Sequence, residues 1–211
     1  MNSEKLQANK EIVSRFMSVI TCDWSNSSKE AGLFEIRCLG EKPTPKPKRF
    51  ALDAIDEAAD FAIRMNGQQF NIYMTINPID INASIKAGKG ATDTDILRAH
   101  YSFADADDQA GLIGITKLSE LCEPDIVVTT GSVPHERRHA YWWLSEACTD
   151  LVLWRSTQLN IATLFSTDRS VKNPSRIMRV AGTVSYPNKD KQTRGYISEL
   201  VTMKERASGC H

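Results

Sequence analysis

The chain has 211 residues, 41% hydrophobic and 25% charged, which are ordinary proportions for a soluble globular domain. Its 26 basic residues balance 26 acidic ones, which excludes a chain-wide positive field for nucleic acid, so any electrostatic binding surface has to be local. No apolar run approaches the roughly 18 residues that span a bilayer, and the polar start over 1–5 is unlike a signal peptide. We therefore expect a cytoplasmic protein with no membrane partner.

The first half of the sequence predicts helices and strands in a mixed order. Apolar spacing predicts helices over 4–20 and 53–65, and β-favouring runs predict strands over 32–39 and 70–76. The basic loop 40–49 is interrupted by prolines and cannot join a central strand. Its cations are suited either to a phosphate backbone or to a solvated hairpin connection. Residues 80–96 are polar and contain glycine, which predicts a mobile loop.

The second half continues the mixture of helices and strands. The predicted strands cover 97–106, 125–130, 139–144, 180–185 and 194–202, and the predicted helices cover 112–122 and 146–165. A mixed α/β order of this kind indicates an α+β domain. We predict a single domain over 1–211, made of two sublobes near 1–95 and 96–211 that share a cleft.

Five cysteines are scattered along the chain without a C-x-x-C pair. Their odd number and irregular spacing argue against a zinc knuckle or a disulfide framework. We expect reduced thiols, mostly buried, at Cys22, Cys38, Cys122, Cys148 and Cys210.

Two acidic residues near the middle of the chain have the spacing of a metal site. Asp105 and Asp107 come at the end of a predicted strand, where residues two apart share a face. Paired carboxylates raise one another's pKa unless a cation lies between them, and Mg²⁺ or Mn²⁺ suits oxygen ligands. The alternative is a solvated acidic turn in which Asp107 or Asp108 caps the next helix. Asp108 faces away from Asp107, so we leave it out of the predicted site.

Several short motifs follow one another in a fixed order. They are Asn77-Pro78, Asp105-x-Asp107, Thr130-Gly131-Ser132, His139-x-Tyr141-Trp142, Asp168 and Arg176-x-x-Arg179-x-x-Gly182-Thr183. Their order and spacing, over roughly residues 30–200, resemble the archaeo-eukaryotic primase superfamily. The likeness is to the primase-polymerases of plasmids, phages and mobile elements.

This resemblance implies both a fold and an activity. The family core is an α/β unit joined to an RRM-like antiparallel sheet, with the active site in the cleft between them. The implied activity is template-dependent nucleotidyl transfer, as DNA polymerase or primase or both, in the replication of a mobile element or phage. Asp105, Asp107 and Asp168 correspond to the family's catalytic residues and would hold two Mg²⁺ or Mn²⁺ ions. Such ions activate the primer 3′-hydroxyl and neutralise the triphosphate.

The resemblance also implies nucleotide-binding residues. His139 corresponds to a histidine that meets the triphosphate, and a nearby anion favours the charged form of an imidazole. Ser132, or its neighbour Gly131, is expected to present a hydroxyl or a backbone N–H to the same phosphates. Arg176 and Arg179 match basic positions of the family and can fork onto phosphate. The alternative for Arg179 is a salt bridge that supports the sheet.

Three further positions have two interpretations each. Lys189 falls where relatives carry a lysine that contacts triphosphate or template, but a solvated turn explains it equally well. Tyr73 and Asn77 are placed to flank the nucleotide sugar, although core packing is the commoner role of a strand tyrosine. His135 competes with His139 for the second motif, because 133–138 replaces the short glycine-rich turn of relatives. We prefer His139 for its match to the strand pattern.

The partners implied are a single-stranded DNA template with its primer, and NTP or dNTP. The sequence contains no P-loop motif, so a replicative helicase would act in trans or on a further region. Two other functions stay open. One is a replication-initiator DNA nickase of the HUH kind, with a metal held by His135 and His139. The other is a non-catalytic nucleic-acid-binding module.

Overall fold

A computed structural model describes residues 6–24 and 32–207. Within these residues it has five α-helices, ten β-strands and two short 3₁₀ turns. The helices are α1 Lys10–Thr21, α2 Ile55–Gly67, α3 Gln109–Leu121, α4 Leu151–Leu164 and α5 Lys189–Thr193. The strands are β1 Phe34–Leu39, β2 Lys48–Phe50, β3 Asn71–Thr75, β4 Ala99–Ala106, β5 Ile126–Gly131, β6 Arg137–Cys148, β7 Ile177–Arg179, β8 Val184–Ser185, β9 Glu199–Leu200 and β10 Thr202–Glu205.

The strands form two four-stranded antiparallel sheets. The first sheet has the order β2-β1-β3-β7, and the second has the order β10-β5-β6-β4. A two-stranded ribbon of β8 and β9 accompanies them. The predicted α+β class is confirmed. The predicted division near residue 95 separates the two sheets except for β7, which returns from the C-terminal half to the edge of the first sheet.

One continuous apolar core joins the two sheets, and α1 contributes its buried face to it. The ring of Phe16 on α1 meets that of Tyr141 on β6 edge-on, with centroids 6.5 Å apart. The hydroxyl of Tyr101 on β4 donates to the backbone oxygen of Val19 at 3.0 Å. Near its middle α1 also forms an ion pair with β10, between Arg15 and Glu205, 2.6 Å long. The buried face of α1 therefore packs against the second sheet in the core that both sheets share.

Helix α4 covers the open edge of β4 with side-chain hydrogen bonds. The indole of Trp154 donates to the backbone oxygen of Tyr101 at 2.9 Å, and the amide of Gln158 donates to that of Phe103 at 2.8 Å. Carbonyls two residues apart on an edge strand point the same way and need partners when they are buried. The third carbonyl of this row, that of Asp105, accepts from the backbone N–H of Asp168 at 2.9 Å.

Several predicted boundaries were wrong, and the strand predicted over 180–185 is mostly a turn between the short strands β7 and β8. The helix predicted over 146–165 begins at Leu151, because the Asp150 side chain accepts from the N–H groups of Val152 and Leu153 and caps it there. Residues 146–148 belong instead to β6, which is longer than the predicted strand 139–144 at both ends. In the C-terminal region, the strand predicted over 194–202 is a turn followed by the short strands β9 and β10.

The structure bears on the predictions made for four of the five cysteines and for the basic loop 40–49. No disulfide links the four cysteines in the described ranges, but Cys38 alone of these is buried, so the expectation of mostly buried thiols was wrong. Cys210 lies outside the described residues. The basic loop ends in β2, which is an edge strand paired with β1, as a hairpin connection requires. Among the described residues no helix is long and apolar enough to cross a membrane.

Gly114 on α3 allows a close approach to the end of α4. A Cβ at this position would overlap the backbone oxygen of Phe165, the residue that caps α4. We expect Gly114→Ala to lower the free energy of unfolding by about 1–3 kcal/mol, because backbone atoms have to move apart. Urea unfolding followed by circular dichroism measures this.

Gly67→Ala is the matched control, because Gly67 ends α2 with open space around it. Alanine has the better helix propensity, so this variant should be unchanged or more stable by up to about 1 kcal/mol. Equal effects of the two substitutions would contradict the assigned contact.

Candidate active site

The antiparallel register of β4 and β6 places Asp105 directly opposite His139. Asp105 is buried near the end of β4, and Asp107 lies just beyond that strand and is exposed. Both residues line one cleft, as their two-residue spacing predicts. The imidazole Nε2 of His139 is 3.6 Å from the Oδ1 atom of Asp105, which is longer than a hydrogen bond. The sheet itself therefore brings the first acidic motif and the predicted histidine together.

Asp168 reaches the same cleft from the loop after α4. Its backbone N–H is held by the Asp105 carbonyl, and its carboxylate accepts from the N–H and the hydroxyl of Ser170, both at 2.8 Å. The guanidinium of Arg176 lies 3.8 Å from the same carboxylate. The structure thus gathers the three predicted aspartates around one cleft, the carboxylate pocket, of about 210 Å³.

The walls of the carboxylate pocket come from four parts of the fold. The second sheet contributes Asp105, Thr130, Arg137 and His139, and the first sheet contributes Tyr73 and Arg179. Loops add Asp107, Asp168 and Arg176. The segment 186–198, which connects β8 to β9 and which we call the arm, adds Tyr186, Pro187, Lys191, Tyr196 and Ile197. The pocket therefore lies between the two sheets, where the predicted cleft was expected.

Asp105 is the most perturbed carboxyl in this pocket. Its pKa is raised from the ordinary 3.8 to about 7, mainly by burial and also by the charges of Asp107 and Asp168, against the opposing effect of Arg176 and Arg179. Its Oδ1 atom is buried without a hydrogen-bond partner. An oxygen ligand of this kind suits a hard divalent cation, which would relieve the repulsion. Within 6–24 and 32–207, however, no three histidine, cysteine or acidic side chains form a ready-made metal-binding group.

His139 is neutral in this environment. Its pKa is lowered from 6.5 to about 3, mainly by burial and in addition by the charges of Arg179 and Arg176. The charged form that the sequence suggested is therefore absent near neutral pH, and the contact with Asp105 is not an ion pair. The ring Nδ1 atom lies 3.2 Å from the hydroxyl of Tyr141. A tautomer with its proton on Nε2 can accept from Tyr141 and donate into the pocket.

His135 occupies a different position from His139. It lies in the β5–β6 turn, where its Nε2 atom is 2.7 Å from the backbone oxygen of Asp107. Its ring meets that of Tyr196 edge-on at 5.7 Å. His135 borders a separate cleft beside α3 rather than the carboxylate pocket. Between the two histidines, His139 is the one that accompanies the aspartates.

Arg179 is held rigidly at the edge of the first sheet. One guanidinium nitrogen donates to the Asn71 side-chain oxygen and another to the Tyr73 hydroxyl, both at 2.7 Å. The guanidinium also lies over the Tyr73 ring, 4.8 Å from its centroid. The partners of Arg179 are therefore neutral, which differs from the salt bridge considered as the alternative. Tyr73 borders the pocket instead of packing in the core.

Other predicted residues lie elsewhere. The Ser132 hydroxyl and N–H are both bonded to Glu199, and Lys189 lies outside the pocket on α5 with its backbone N–H donated to Glu41. Asn77 is buried and holds the backbone of Pro174 and His100. Asp108 caps α3 by accepting from the N–H of Gly111 at 2.8 Å. This is the helix-capping role that the sequence offered as an alternative for Asp107 or Asp108.

The pocket residues of the arm were not predicted from the sequence. Lys191, Tyr196 and Arg137 all line the pocket. The guanidinium of Arg137 lies 4.6 Å from the centroid of the Tyr196 ring. Lys191 and Tyr196 lie in the arm, where the sequence shows a polar turn without a motif, so only its folding back over the pocket reveals them.

Comparison with known proteins shows the fold. No protein-family model and no curated protein matches the sequence. Among solved structures, the AEP domain of the cyanophage S-2L primase-polymerase matches with a TM-score of 0.59 and 20% identity over 92% of each chain. The catalytic domain of primase RepB′ in complex with initiator DNA matches with a TM-score of 0.56 and 15% identity, over 92% of this chain and 84% of that one.

A second structure of primase RepB′ gives a TM-score of 0.57 and 12% identity over 92% of this chain and 56% of that chain. The chain therefore has the fold of these primase-polymerase domains. Because identities are at most 20% in these three comparisons, the likeness concerns the fold rather than the activity.

The raised pKa of Asp105 predicts a stability gain when its charge is removed. The folded protein keeps this proton to a higher pH than the unfolded chain, so ionisation lowers the free energy of unfolding as pH rises from about 4 through 7. We expect Asp105→Asn to raise the free energy of unfolding at pH 8 by about 1–3 kcal/mol and to flatten its pH dependence. Urea titrations at pH 5 and pH 8 with a chelator measure both.

The control is Asp53→Asn, because Asp53 is exposed and lies away from the pocket. It should leave the stability and the pH dependence within about 0.5 kcal/mol of wild type. A loss of stability in Asp105→Asn at pH 8 would contradict the assigned electrostatics.

Proposed function

We propose that this chain catalyses template-dependent nucleotidyl transfer to DNA, as a polymerase or primase or both. The observation that carries the proposal is the convergence of Asp105, Asp107 and Asp168 with His139 in one pocket between the sheets. These residues are separated along the sequence, and the same fold occurs in primase-polymerase domains. Carboxylates suit metal ions and arginines suit phosphate groups, so a pocket that contains both suits a metal-assisted reaction of a polyphosphate.

In this proposal the three aspartates hold two divalent ions. The buried, unpartnered Oδ1 atom of Asp105 and the mutual repulsion of the carboxylates support such binding. Mg²⁺ or Mn²⁺, when bound, neutralises the triphosphate and lowers the pKa of the primer 3′-hydroxyl. Ser170 and Arg176 hold the Asp168 carboxylate in place. The Asp105 carbonyl holds the loop that carries it.

The basic side chains act on the triphosphate. Arg179 keeps guanidinium donors beyond those taken by Asn71 and Tyr73, and its planar fork matches phosphate oxygens. Arg176 and Lys191 add positive charge to the same pocket. The neutral His139 donates a proton in a hydrogen bond to a phosphate oxygen without carrying charge.

The rest of the nucleotide has space beside this pocket. A second cleft of about 540 Å³ shares Tyr73, Arg179 and the arm residue Tyr186 with the carboxylate pocket. The carboxylate pocket holds the phosphates, and the adjoining cleft receives the sugar and base next to the Tyr73 ring. Tyr73 thus lies between the two regions.

The substrate strand in this proposal is single-stranded or primed DNA. The RepB′ catalytic domain, which shares the fold, was solved with initiator DNA. The other matched domain is from a phage, which supports replication of a phage or mobile element as the setting. A helicase acting in trans is part of the proposal. NTP and dNTP are both candidate substrates.

The two other functions have less support. A nickase would need His135 and His139 on one metal, but His135 binds the Asp107 backbone and lies outside the pocket. A non-catalytic module would have no use for a buried carboxyl whose ionisation opposes folding.

Removal of one exposed carboxylate tests the reaction. We expect Asp107→Asn to lower primer extension with dNTP and Mn²⁺ or Mg²⁺ by about 10³-fold or more, since the metal ions lose a negatively charged carboxylate ligand. Asp108→Asn is the control, because it removes a negative charge from the residue next to Asp107, and asparagine can still cap α3. Gel assays of primer extension and thermal unfolding measure both variants. Unaltered extension by an Asp105→Ala, Asp107→Ala double variant would falsify the assignment.

A comparison of the two histidines tests the triphosphate contact. His139→Ala should raise the nucleotide KM or lower kcat by about tenfold or more, because the imidazole faces the pocket. His135→Ala should change either constant by less than about threefold. Steady-state extension across dNTP concentrations measures the two, and the opposite order would assign the second motif to His135.

A further inference from the structure

The carboxylate of Glu199 fills a nest of donors at the β5–β6 turn. Its Oε1 atom accepts from the N–H of Ser132 at 2.7 Å and from the Ser132 hydroxyl at 2.5 Å. Its Oε2 atom accepts from the N–H of Val133 at 3.3 Å and from the guanidinium of Arg137 at 3.1 Å. Both oxygens of this carboxylate therefore accept hydrogen bonds, from two N–H groups, a hydroxyl and an arginine in total. The donors expected for a phosphate are therefore taken by the protein's own acid.

Glu199 is ionised in this position. Partial burial alone would raise its pKa, but the hydrogen bonds from Ser132 and Val133 and the charge of Arg137 lower the pKa below the ordinary value. Arg137 is almost fully buried, with 7% of its side chain exposed, so it needs a counter-charge. Arg137 also donates to the backbone oxygens of Val133 and His135, which ties the whole turn to this ion pair.

Glu199 also ends the arm that closes one side of the carboxylate pocket. At the other end of the arm, Tyr186 exchanges two hydrogen bonds of 2.8 Å with the side chain of Asn71 on β3. The arm is thus attached to the first sheet through Asn71 and to the turn of the second sheet through Glu199. Between these attachments, Tyr196 lies against Arg137, with Lys191 5.5 Å from its ring centroid.

We infer that Glu199 is a positioning residue of the candidate active site, which holds the arm across the two sheets so that Lys191 and Tyr196 face the pocket. Glu199 itself does not line the pocket. Loss of its charge leaves a buried arginine without a counter-charge, and loss of the whole carboxylate also removes the hydrogen bonds between the end of the arm and the β5–β6 turn. The consequence for nucleotide binding rests on the proposed function, whereas the attachment of the arm does not.

The test compares Glu199→Gln and Glu199→Ala with Glu205→Gln. Glu205 is the matched control, because it forms a two-bond pair with Arg15, at 2.9 and 2.6 Å, away from the pocket. Hydrogen exchange with mass spectrometry should show about tenfold faster exchange over 186–198 and 132–136 in the Glu199 variants. Exchange over these segments should be unchanged in Glu205→Gln. Wild-type exchange in both Glu199 variants would overturn the inference.

Primer extension then tests the consequence for the reaction. We expect the Glu199 variants to raise the dNTP KM by about tenfold while kcat stays within about threefold, since the arm affects binding more than chemistry. Glu205→Gln should match wild type in both constants. Faster arm exchange with an unchanged KM would overturn the positioning role.

If the wild-type enzyme extends no primer, the proposed function fails, and the exchange result still decides the attachment of the arm. A Glu199→Ala protein that does not fold is replaced by Glu199→Gln, which keeps the size of the side chain.

Discussion

The row of edge carbonyls on β4 sets the geometry of this molecule. Three alternate backbone oxygens of the strand require buried partners, and Trp154, Gln158 and the backbone of Asp168 supply them in sequence. α4 is therefore aligned along the strand, and the chain leaves the helix at the level of Asp105. Asp168 meets the first acidic motif because the hydrogen-bonding requirement of the strand places its backbone there. The site depends on this satisfied edge more than on any contact between the acidic side chains.

A second constraint is charge. The chain as a whole is neutral, yet one small pocket collects three aspartates with Arg137, Arg176, Arg179 and Lys191. Each arginine has fixed partners: Arg179 is braced by neutral groups, Arg137 by Glu199, and Arg176 lies near Asp168. Among the pocket residues, two buried polar atoms have no hydrogen-bond partner, the Oδ1 atom of Asp105 and the Nε atom of Arg176. The electrostatic repulsion in the pocket is therefore concentrated at the Asp105 carboxyl, where a bound cation would relieve it.

Some features of the fold and of the candidate site could be predicted from the sequence, and others could not. Strand periodicity placed Asp105 and Asp107 in one cleft, and motif order selected His139 and Asp168, because these signals are local or family-wide. It could not predict the protonation of His139, which follows from burial beside two arginines contributed by distant residues. Ser132 was expected to face phosphate, but its partner Glu199 is 67 residues away and carries no motif. Long-range pairing of this kind leaves no trace in a single sequence. The start of α4 was predicted too early because the Asp150 cap, rather than the apolar spacing, sets where the helix begins.

The position of α1 has a consequence for how the chain folds during synthesis. The helix is made early, yet it is tied to late segments by the Asn9–Gly182 backbone bond and the Arg15–Glu205 pair. Its apolar stripe also fills the interior of both sheets. An N-terminal half emerging from the ribosome would therefore hold an unfinished core, with β7 and β10 still to come. Folding to completion waits for nearly the whole described chain, which predicts slow folding dominated by long-range contacts.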